Sequence, residues 1–354
     1  MMEQISKNNA DNSSKTSSRR KFIKNCLAAT GAVTLGGWSL HALANRNSIE
    51  GVASANRPRY LELARSGELE RRERALWAKM ERCDLCPRQC GVNRTAGRTG
   101  ICGIGDTFRV SSHMPHFGEE APLTGRRGSG TIFFSNCNLL CIFCQNWEIN
   151  HRGDGRITTH TALANMMLGL QRRGCHNINF VTPTHVVPHI LSAVRIAVDN
   201  GLNIPLLYNT GGFESLEVIE LLDGIMDVYL PDFKFQCNEI GMRLAQNARD
   251  YPTHAAAAIK EMHRQVGTLQ TTNNIATRGL LIRHLVLPEN NAGTDVFVRW
   301  VADELGTDTH VNIMGQYRPM FRANEFPPLN RRVTPAELRQ AMQWAREAGL
   351  HNFH

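Results

Sequence analysis

Three cysteines stand close together in the middle of the sequence. Cys137, Cys141 and Cys144 follow a short apolar run and have the spacing C-x3-C-x2-C. Three thiolates can each bind one iron of a 4Fe-4S cluster, which leaves the fourth iron without a protein ligand. Because electron carriers ordinarily supply four cysteines, this group predicts a 4Fe-4S cluster with one open coordination position. The alternatives are a zinc loop or three unrelated thiols.

A second cysteine group lies nearer the N-terminus. Cys83, Cys86, Cys90 and Cys102 have the spacing C-x2-C-x3-C-x11-C, with Pro87 and several glycines among them. Four thiolates form a closed ligand set, which suits either tetrahedral zinc or an auxiliary iron–sulfur cluster. The spacing therefore predicts a second metal site, and a pair of disulfides is the alternative.

The sequence after residue 126 contains a regular framework that could position these cysteines. Short apolar runs occur at 131–135, 178–181, 205–208, 226–230, 280–287 and 311–313. Segments with helical periodicity alternate with them, at 161–172, 187–200, 214–222, 255–265 and 295–305, and a last helix over 335–349 has Thr334 as its expected N-cap. This alternation predicts parallel strands with crossover helices. The predicted fold class is α/β, a partial (β/α)6 TIM-like barrel with an N-terminal Cys-rich extension.

Polar or glycine-rich sequence follows every predicted strand of this framework. These segments are 136–137, 182–185, 209–212, 231–234, 288–290 and 314–319. In parallel barrels the loops at the carboxyl ends of the strands build the active site. The sequence therefore predicts that the three-cysteine loop and the other five segments share one mouth.

The N-terminal segment differs in composition from the rest of the chain. Residues 1–16 are polar, Arg19-Arg20 lies in a basic cluster, and a mildly apolar stretch over 26–40 precedes the Ala-Leu-Ala sequence at 42–44. The apolar stretch is shorter than the roughly 20 residues that a stable membrane span needs. The paired arginines resemble a twin-arginine signal, which predicts export to the periplasm. A cytoplasmic location is the alternative.

Length and charge complete the outline. The chain has 354 residues, of which 42% are hydrophobic, enough for a full core. Half of the formal charge of +8 falls in residues 1–44, and no basic stripe with interleaved aromatic residues is present, which argues against nucleic-acid binding. The predicted organisation is a signal peptide at 1–44, a linker and N-terminal helix at 45–82, the Cys-rich extension at 83–125 and the partial barrel at 126–354.

These motifs resemble those of the radical S-adenosylmethionine (SAM) superfamily. The three-cysteine spacing with Phe143 directly before the last cysteine is that superfamily's signature. Over about residues 83–350 the chain resembles the pyruvate formate-lyase activating enzymes, and more closely a group of activating-enzyme-like iron–sulfur proteins. The resemblance rests on the cluster loop and on the segments 83–94, 182–185, 208–212, 231–234, 283–288 and 316–319. It implies that one electron from the cluster cleaves SAM to a 5′-deoxyadenosyl radical, which abstracts a hydrogen atom.

The resemblance also implies roles for individual residues. Phe143 would lie against the adenine, Asp232 and Lys234 match an Asp-x-Lys segment that contacts SAM, and His284 matches a histidine near the ribose. The chain departs from the pattern after the second strand, where activating enzymes have Gly-Gly-Glu-Pro and this chain has Thr-Pro-Thr-His at 182–185. The hydroxyl and carbonyl of Thr182 would then hold the methionine amine.

A substrate and an electron donor follow from the same resemblance. A protein similar to the glycyl radical enzymes would enter through the open side of a six-stranded barrel, although a small metabolite would suit the same chemistry. The donor would be a protein such as flavodoxin or ferredoxin. The alternative function is that of an exported iron–sulfur electron-transfer protein without SAM chemistry, because the altered segment at 182–185 could have abolished cofactor binding.

Overall fold

A mixed sheet forms the centre of the structure, a computed structural model that describes residues 57–354. Its strands are β1 (Phe108–His116), β2 (Ser129–Phe134), β3 (Arg156–Thr158), β4 (Ile178–Val181), β5 (Leu206–Thr210), β6 (Val228–Pro231), β7 (Gln270–Thr272), β8 (Ile275–Leu285) and β9 (His310–Met314). Their order is β3-β1-β2-β4-β5-β6-β8-β7, and β9 pairs with β8. The predicted signal peptide lies outside the described residues.

The six predicted strands correspond to β2, β4, β5, β6, β8 and β9. Each is parallel to its neighbour in that series. Within residues 57–354 no pairing joins β9 back to β2, so the barrel is partial. The predicted α/β architecture is therefore confirmed, and its parallel strands are buried on both faces, as in β5 and β6.

Helices connect these strands on the outside of the sheet. The helices of the described residues are α1 (Tyr60–Arg65), α2 (Glu68–Ala78), α3 (Ala121–Thr124), α4 (Trp147–Asn150), α5 (His160–Arg172), α6 (Val187–Asp199), α7 (Leu216–Leu221), α8 (Asn238–Leu244), α9 (Tyr251–Val266), α10 (Thr294–Leu305) and α11 (Pro335–Glu347). The crossover helices α5, α6, α7, α9 and α10 occupy the segments where the sequence predicts them. None of the helices in residues 57–354 has the length and apolar character of a membrane span.

The N-terminal helix is divided into two parts. The charged periodic segment before Cys83 predicts one helix, but α1 ends before Gly67 and α2 begins after it. Gly67 has a φ of +77°, a left-handed conformation that glycine adopts without steric cost and that interrupts a helix. Leu69 and Leu76 of α2 are fully buried, so this helix packs on the core as the sequence predicts.

Antiparallel strands extend the sheet on both sides. β1 lies within the predicted Cys-rich extension and pairs with β2 on one side and with β3 on the other. On the opposite side β7 forms a hairpin with β8 through Asn273 and Asn274, both with positive φ. The extension thus contributes a strand to the same sheet as the barrel.

Candidate functional site

A cavity of about 380 Å³ lies at the carboxyl ends of the parallel strands. Each of the six strands contributes to its wall, directly or through the loop that follows it. The contributing residues, in strand order, include Cys137, Thr182, Thr210, Asp232, Leu285 and Met314. The shared mouth expected from the sequence is therefore present, except that β8 contributes its own last residues and the segment 288–290 does not line the cavity.

The three cysteines of the loop after β2 all line this cavity. Cys141 is 8% exposed, and all three thiols are free. Two residues of this loop, Asn136 and Leu140, have left-handed backbone conformations, with φ of +71° and +55°. These turns fold the loop tightly, which directs the cysteines to one side.

Nitrogen donors are directed at the sulfur atoms of this loop. The backbone N–H of Leu139 donates to Sγ of Cys137 at 3.3 Å, and Nδ2 of Asn150 donates to Sγ of Cys144 at 3.3 Å. Burial raises the pKa of all three thiols, and the positive charge of Lys234 acts in the opposite direction on each. Lys234 and these donors therefore offset only part of the effect of burial, and a metal bound here would have to stabilise the thiolate form itself.

This donor set fits a 4Fe-4S cluster with one open iron. No fourth cysteine in the described part of the chain lines the cavity. Among residues 57–354, no three histidine, cysteine, aspartate or glutamate side chains meet around a point where one ion could be bound. A cubane cluster does not need such a meeting point, because each thiolate binds a different iron.

An acidic and a basic side chain from the loop after β6 face the three cysteines. Nζ of Lys234 lies 2.5 Å from Oδ2 of Asp232, and both side chains line the cavity. The other carboxylate oxygen, Oδ1 of Asp232, is buried and has no hydrogen-bond partner in the protein. A buried acceptor without a partner costs free energy, so this oxygen is suited to accept a hydrogen bond from a bound molecule.

Two further residues with predicted cofactor roles also line the cavity. Thr182 has a φ of +60°, which is rare for a β-branched residue and marks local strain. Phe143 is 6% exposed and packs edge-on against the rings of Phe235 and Tyr317, each with its centroid 6.0 Å away. The structure thus brings together Phe143, Thr182, Asp232, Lys234 and the three cysteines, whose roles stay predictions.

His284 does not lie where the resemblance predicts it. Its two ring nitrogens are hydrogen-bonded to the carbonyl of Phe233 and to the hydroxyl of Thr294, and its ring stacks on Phe297. Successive side chains of a strand point to opposite faces. Because the neighbouring Arg283 and Leu285 face the cavity, His284 faces the helix layer, where burial lowers its pKa to about 4.

Arg283 is a cavity residue that the sequence did not single out as a cofactor contact. Its Nη2 lies 2.6 Å from Glu119 and its Nε lies 3.0 Å from Glu120. These carboxylates come from the segment between β1 and α3, and Glu119 also lines the cavity. No signal in the sequence links residues so far apart.

Glu214 is a second site residue that sequence reasoning missed, since the sequence predicts it to be an ordinary helix residue. It is fully buried behind Thr210 and accepts hydrogen bonds from the hydroxyls of Thr184, Thr210 and Tyr208. Burial raises the pKa of Glu214 to about 7, although these three donors lower it. The available signal was the position of Glu214, six residues after the end of the predicted strand at 205–208 and shortly after a glycine pair.

The second cysteine group lies next to the cluster loop. Cys83, Cys86 and Cys102 are 5–8% exposed, Cys90 is half-buried, and all four are free thiols. The alternative of a pair of disulfides is therefore not what the structure has, and the metal site stays a prediction. Sγ of Cys90 accepts a hydrogen bond from the backbone N–H of Ile101 at 3.4 Å.

Comparison with known proteins gives relatives in an archaeon. The chain is 35% identical over 277 residues to the uncharacterized protein MJ0674 of Methanocaldococcus jannaschii, covering 76% of this chain and 75% of that protein. It is 23% identical over 305 residues to the uncharacterized protein MJ0808 of the same organism, covering 79% and 83%. No model of a known protein family matches the chain.

Solved structures give partial matches. One is a radical SAM methyltransferase from Sphaerobacter thermophilus, with 16% identity, 63% of this chain and 65% of that chain covered, and a TM-score of 0.44. Another is HydG, a maturase of the FeFe-hydrogenase, with 13% identity, 63% and 50% covered, and a TM-score of 0.43. A third is methylornithine synthase (PylB), with 13% identity, 63% and 70% covered, and a TM-score of 0.40.

The alignment with MJ0674 covers about three quarters of both chains. An alignment of this length must include both the cysteine-rich region and part of the barrel. Such identity over such a length shows common family membership. The chain belongs to the family of the Methanocaldococcus jannaschii protein MJ0674.

Proposed function

We propose that this protein is a radical SAM enzyme whose 4Fe-4S cluster is held by Cys137, Cys141 and Cys144. The observation that carries the proposal is the position of these three cysteines on a cavity to which all six parallel strands contribute. Among residues 57–354, the cavity wall contains no fourth cysteine that would close the ligand set. When bound, the cluster supplies the electron that cleaves SAM and so yields the radical that abstracts hydrogen.

The charged pair on the cavity wall is suited to bind the polar groups of SAM. Asp232 keeps one carboxylate oxygen free of protein partners, and this oxygen can accept a hydrogen bond from a hydroxyl or ammonium group. Lys234 forms an ion pair with the other oxygen of Asp232 and so fixes the orientation of the carboxylate. Thr182 offers a hydroxyl and a carbonyl at the end of β4, as expected for a residue that holds the methionine amine.

Apolar side chains form one part of the wall. Phe143, Leu139 and Leu140 come from the cluster loop, and Leu285 and Met314 come from the ends of β8 and β9. Apolar contacts near the reacting atoms limit side reactions of a reactive intermediate. Phe143 is the aromatic side chain of this set that is placed beside the cysteines, which supports its role against the adenine.

We propose that the substrate is a protein similar to the glycyl radical enzymes. We also propose that the electron donor is a flavodoxin or a ferredoxin. The partial barrel supports a large substrate, because β9 and β2 leave the sheet open on one side in the described residues. Phe117, which is 62% exposed, lies between the cavity residues His116 and Gly118. An exposed aromatic ring at a cavity rim suits contact with a protein.

Cleavage of SAM tests the proposal directly. The protein is reconstituted with iron and sulfide without oxygen, reduced with dithionite and given SAM, and 5′-deoxyadenosine is measured by mass spectrometry. We expect product from the wild type and from the exposed-cysteine control Cys237→Ala, and none from Cys141→Ala. A wild-type protein that carries its full cluster yet forms no 5′-deoxyadenosine would contradict the proposal and favour the electron-transfer alternative.

A further inference from the structure

The second cysteine group is built around its sulfur atoms. Each of the four sulfur atoms has at least one nitrogen donor near it. The backbone N–H of Arg88 donates to Cys86, that of Ile101 to Cys90 and that of Ile104 to Cys102. Nη1 of the fully buried Arg94 lies 4.0 Å from Sγ of Cys83. Hydrogen bonds to ligand sulfur atoms are one of the features by which a protein sets the potential of an iron–sulfur cluster.

Arg94 places a positive charge beside this group. Its guanidinium is fully buried, and its contacts are the carbonyls of Gly105 and His185 and the sulfur of Cys83. A buried charge is strongly destabilising unless an opposite charge compensates it, so the position of Arg94 indicates that a net negative centre belongs at the four cysteines.

The two cysteine groups are in direct contact. The guanidinium of Arg88 donates to the carbonyls of Asn138 and Leu139, at 2.9 and 3.2 Å, within the loop that carries Cys137 and Cys141. The side chain of Asn138, the residue after Cys137, in turn interacts with the thiol of Cys86. One arginine and one asparagine therefore touch both groups.

A third contact joins the two groups through Gly103, the residue after Cys102. Gly103 has a φ of +76°, and a Cβ at this position would lie 2.7 Å from Nδ2 of Asn136, the residue before Cys137. Glycine is favoured in this backbone conformation, and a side chain here would displace the amide group of Asn136. The segment that follows the last cysteine of one group thus packs against the segment that precedes the first cysteine of the other.

We propose that Cys83, Cys86, Cys90 and Cys102 hold a second iron–sulfur cluster, which passes electrons to the cluster on Cys137, Cys141 and Cys144. A single zinc ion would need its sulfur ligands about 2.3 Å from one centre. Within the described range no three such side chains are arranged in this way. A cluster, whose irons each take one thiolate, accommodates sulfur atoms that are more widely spread.

The position of the second group also provides an entry point for electrons. Cys90 is half-buried, and the adjacent Ile101 is 46% exposed, whereas the first group opens into the cavity. A reduced one-electron carrier protein would give one electron to the second cluster, which would give it to the first. That electron is consumed when the carbon–sulfur bond of SAM breaks, a step that rests on the proposed function, and the carrier is left oxidised by one electron.

Metal content and electron paramagnetic resonance test this inference on the full chain. We expect the reconstituted wild type to hold roughly twice the iron and sulfide of the Cys90→Ser/Cys102→Ser variant and of the Cys137→Ala/Cys141→Ala/Cys144→Ala variant. The Cys237→Ser variant, which changes an exposed cysteine, should keep the wild-type content. Circular dichroism of each variant identifies any loss of iron that results from unfolding.

The reduced wild type should give a spectrum broadened by interaction between two neighbouring paramagnets, whereas each cluster-deleted variant should give one unbroadened signal. One zinc per chain at the second group, disulfides there in the wild type, or two signals that do not interact would overturn the inference. These results do not depend on 5′-deoxyadenosine formation. Two interacting clusters without SAM cleavage would count against the proposed function and leave the second cluster standing.

Discussion

At the scale of single residues, Arg283 joins two acidic side chains at the cavity wall. The carboxylates of Glu119 and Glu120 are 8% and 4% exposed, and both are within ion-pair distance of its guanidinium. In the Arg283→Gln variant two buried carboxylates would lose their compensating charge. We expect the free energy of unfolding at pH 7 to fall by about 3–5 kcal/mol, measured by urea denaturation.

The matched control for this variant is Arg299→Gln. Arg299 forms an ion pair with Asp295 on the surface of α10, where its side chain is 57% exposed. Exposed pairs of this kind contribute less than about 1 kcal/mol. An Arg283→Gln variant that is destabilised no more than Arg299→Gln would show that Arg283 does not compensate the two carboxylates.

Glu214 provides a test that depends on pH. Burial raises its pKa in the folded protein to about 7, from an ordinary value near 4.5. A group whose pKa is higher in the folded state contributes stability below its unfolded pKa and loses that contribution as the pH rises through the folded pKa. The free energy of unfolding of the wild type, relative to that of Glu214→Gln, should therefore fall by about 3 kcal/mol between pH 4.5 and 7 and stay level above pH 8.

Urea denaturation at several pH values measures this difference. Glu325→Gln is the control, because Glu325 pairs with Arg322 on the surface, which lowers its pKa, and so its ionisation changes little above pH 4.5. A wild-type-minus-Glu214→Gln difference that is constant from pH 4.5 to 8 would mean that folding does not raise the pKa of Glu214.

The residues at the cavity differ in how far the sequence could predict them. Cys137, Cys141 and Cys144 lie close together in the chain, so their spacing alone indicates that they could bind a cluster. The pair of Arg283 and Glu119 joins positions 164 residues apart, and its formation depends on where the loop after β1 packs. Local patterns carry no information about such a contact.

At the scale of elements, β8 shows why the face of a buried strand is hard to predict. The sequence predicts a strand over 280–287, and β8 covers Ile275–Leu285. Side chains on both faces of its central part are buried, so hydropathy does not alternate and does not reveal which face is which. The expectation for His284 came from the resemblance alone, and hydropathy could not have shown that Arg283 lies on the cavity face instead.

The short antiparallel strands were not predicted for a related reason. β3 and β7 have three residues each, all exposed or half-buried, and β1 carries polar and exposed residues at its centre. Their apolar content is too low to distinguish them from loops. They form because neighbouring strands offer them backbone partners: β2 pairs with β1, β1 with β3, and β8 with β7.

The start of α11, in contrast, follows from sequence. Thr334 is the N-cap, its side chain accepts a hydrogen bond from the backbone N–H of Glu337, and the Glu337 side chain accepts one from the backbone N–H of Thr334. Loss of this capping box in Thr334→Ala should lower the free energy of unfolding by about 1 kcal/mol. Thermal or urea unfolding measures the change.

Ser215→Ala is the comparison for that variant. Ser215 is the N-cap of α7, but its side chain makes no capping hydrogen bond, so we expect a change close to zero. Equal losses in the two variants would contradict the assignment of the stabilisation to the capping hydrogen bonds at Thr334.

At the scale of the whole molecule, the alternation of strands and helices was sufficient to predict the partial barrel and the end at which its loops meet. The contact between the two cysteine groups was not predictable in this way. It arises because the Cys-rich extension packs against the cluster loop, through Arg88 onto Asn138 and through Gly103 onto Asn136. Such packing between segments distant in sequence is a property of the folded chain.

The most direct test of the account is the electron paramagnetic resonance spectrum of the dithionite-reduced protein before and after addition of SAM. The signal to follow is the one that is present in the spectrum of the wild type and missing from that of the Cys141→Ala variant. If SAM binds the open iron of a cluster on Cys137, Cys141 and Cys144, this signal should change its shape and g values on addition of SAM. A signal that stays unchanged at saturating SAM would contradict the central claim that this cavity brings SAM to the cluster.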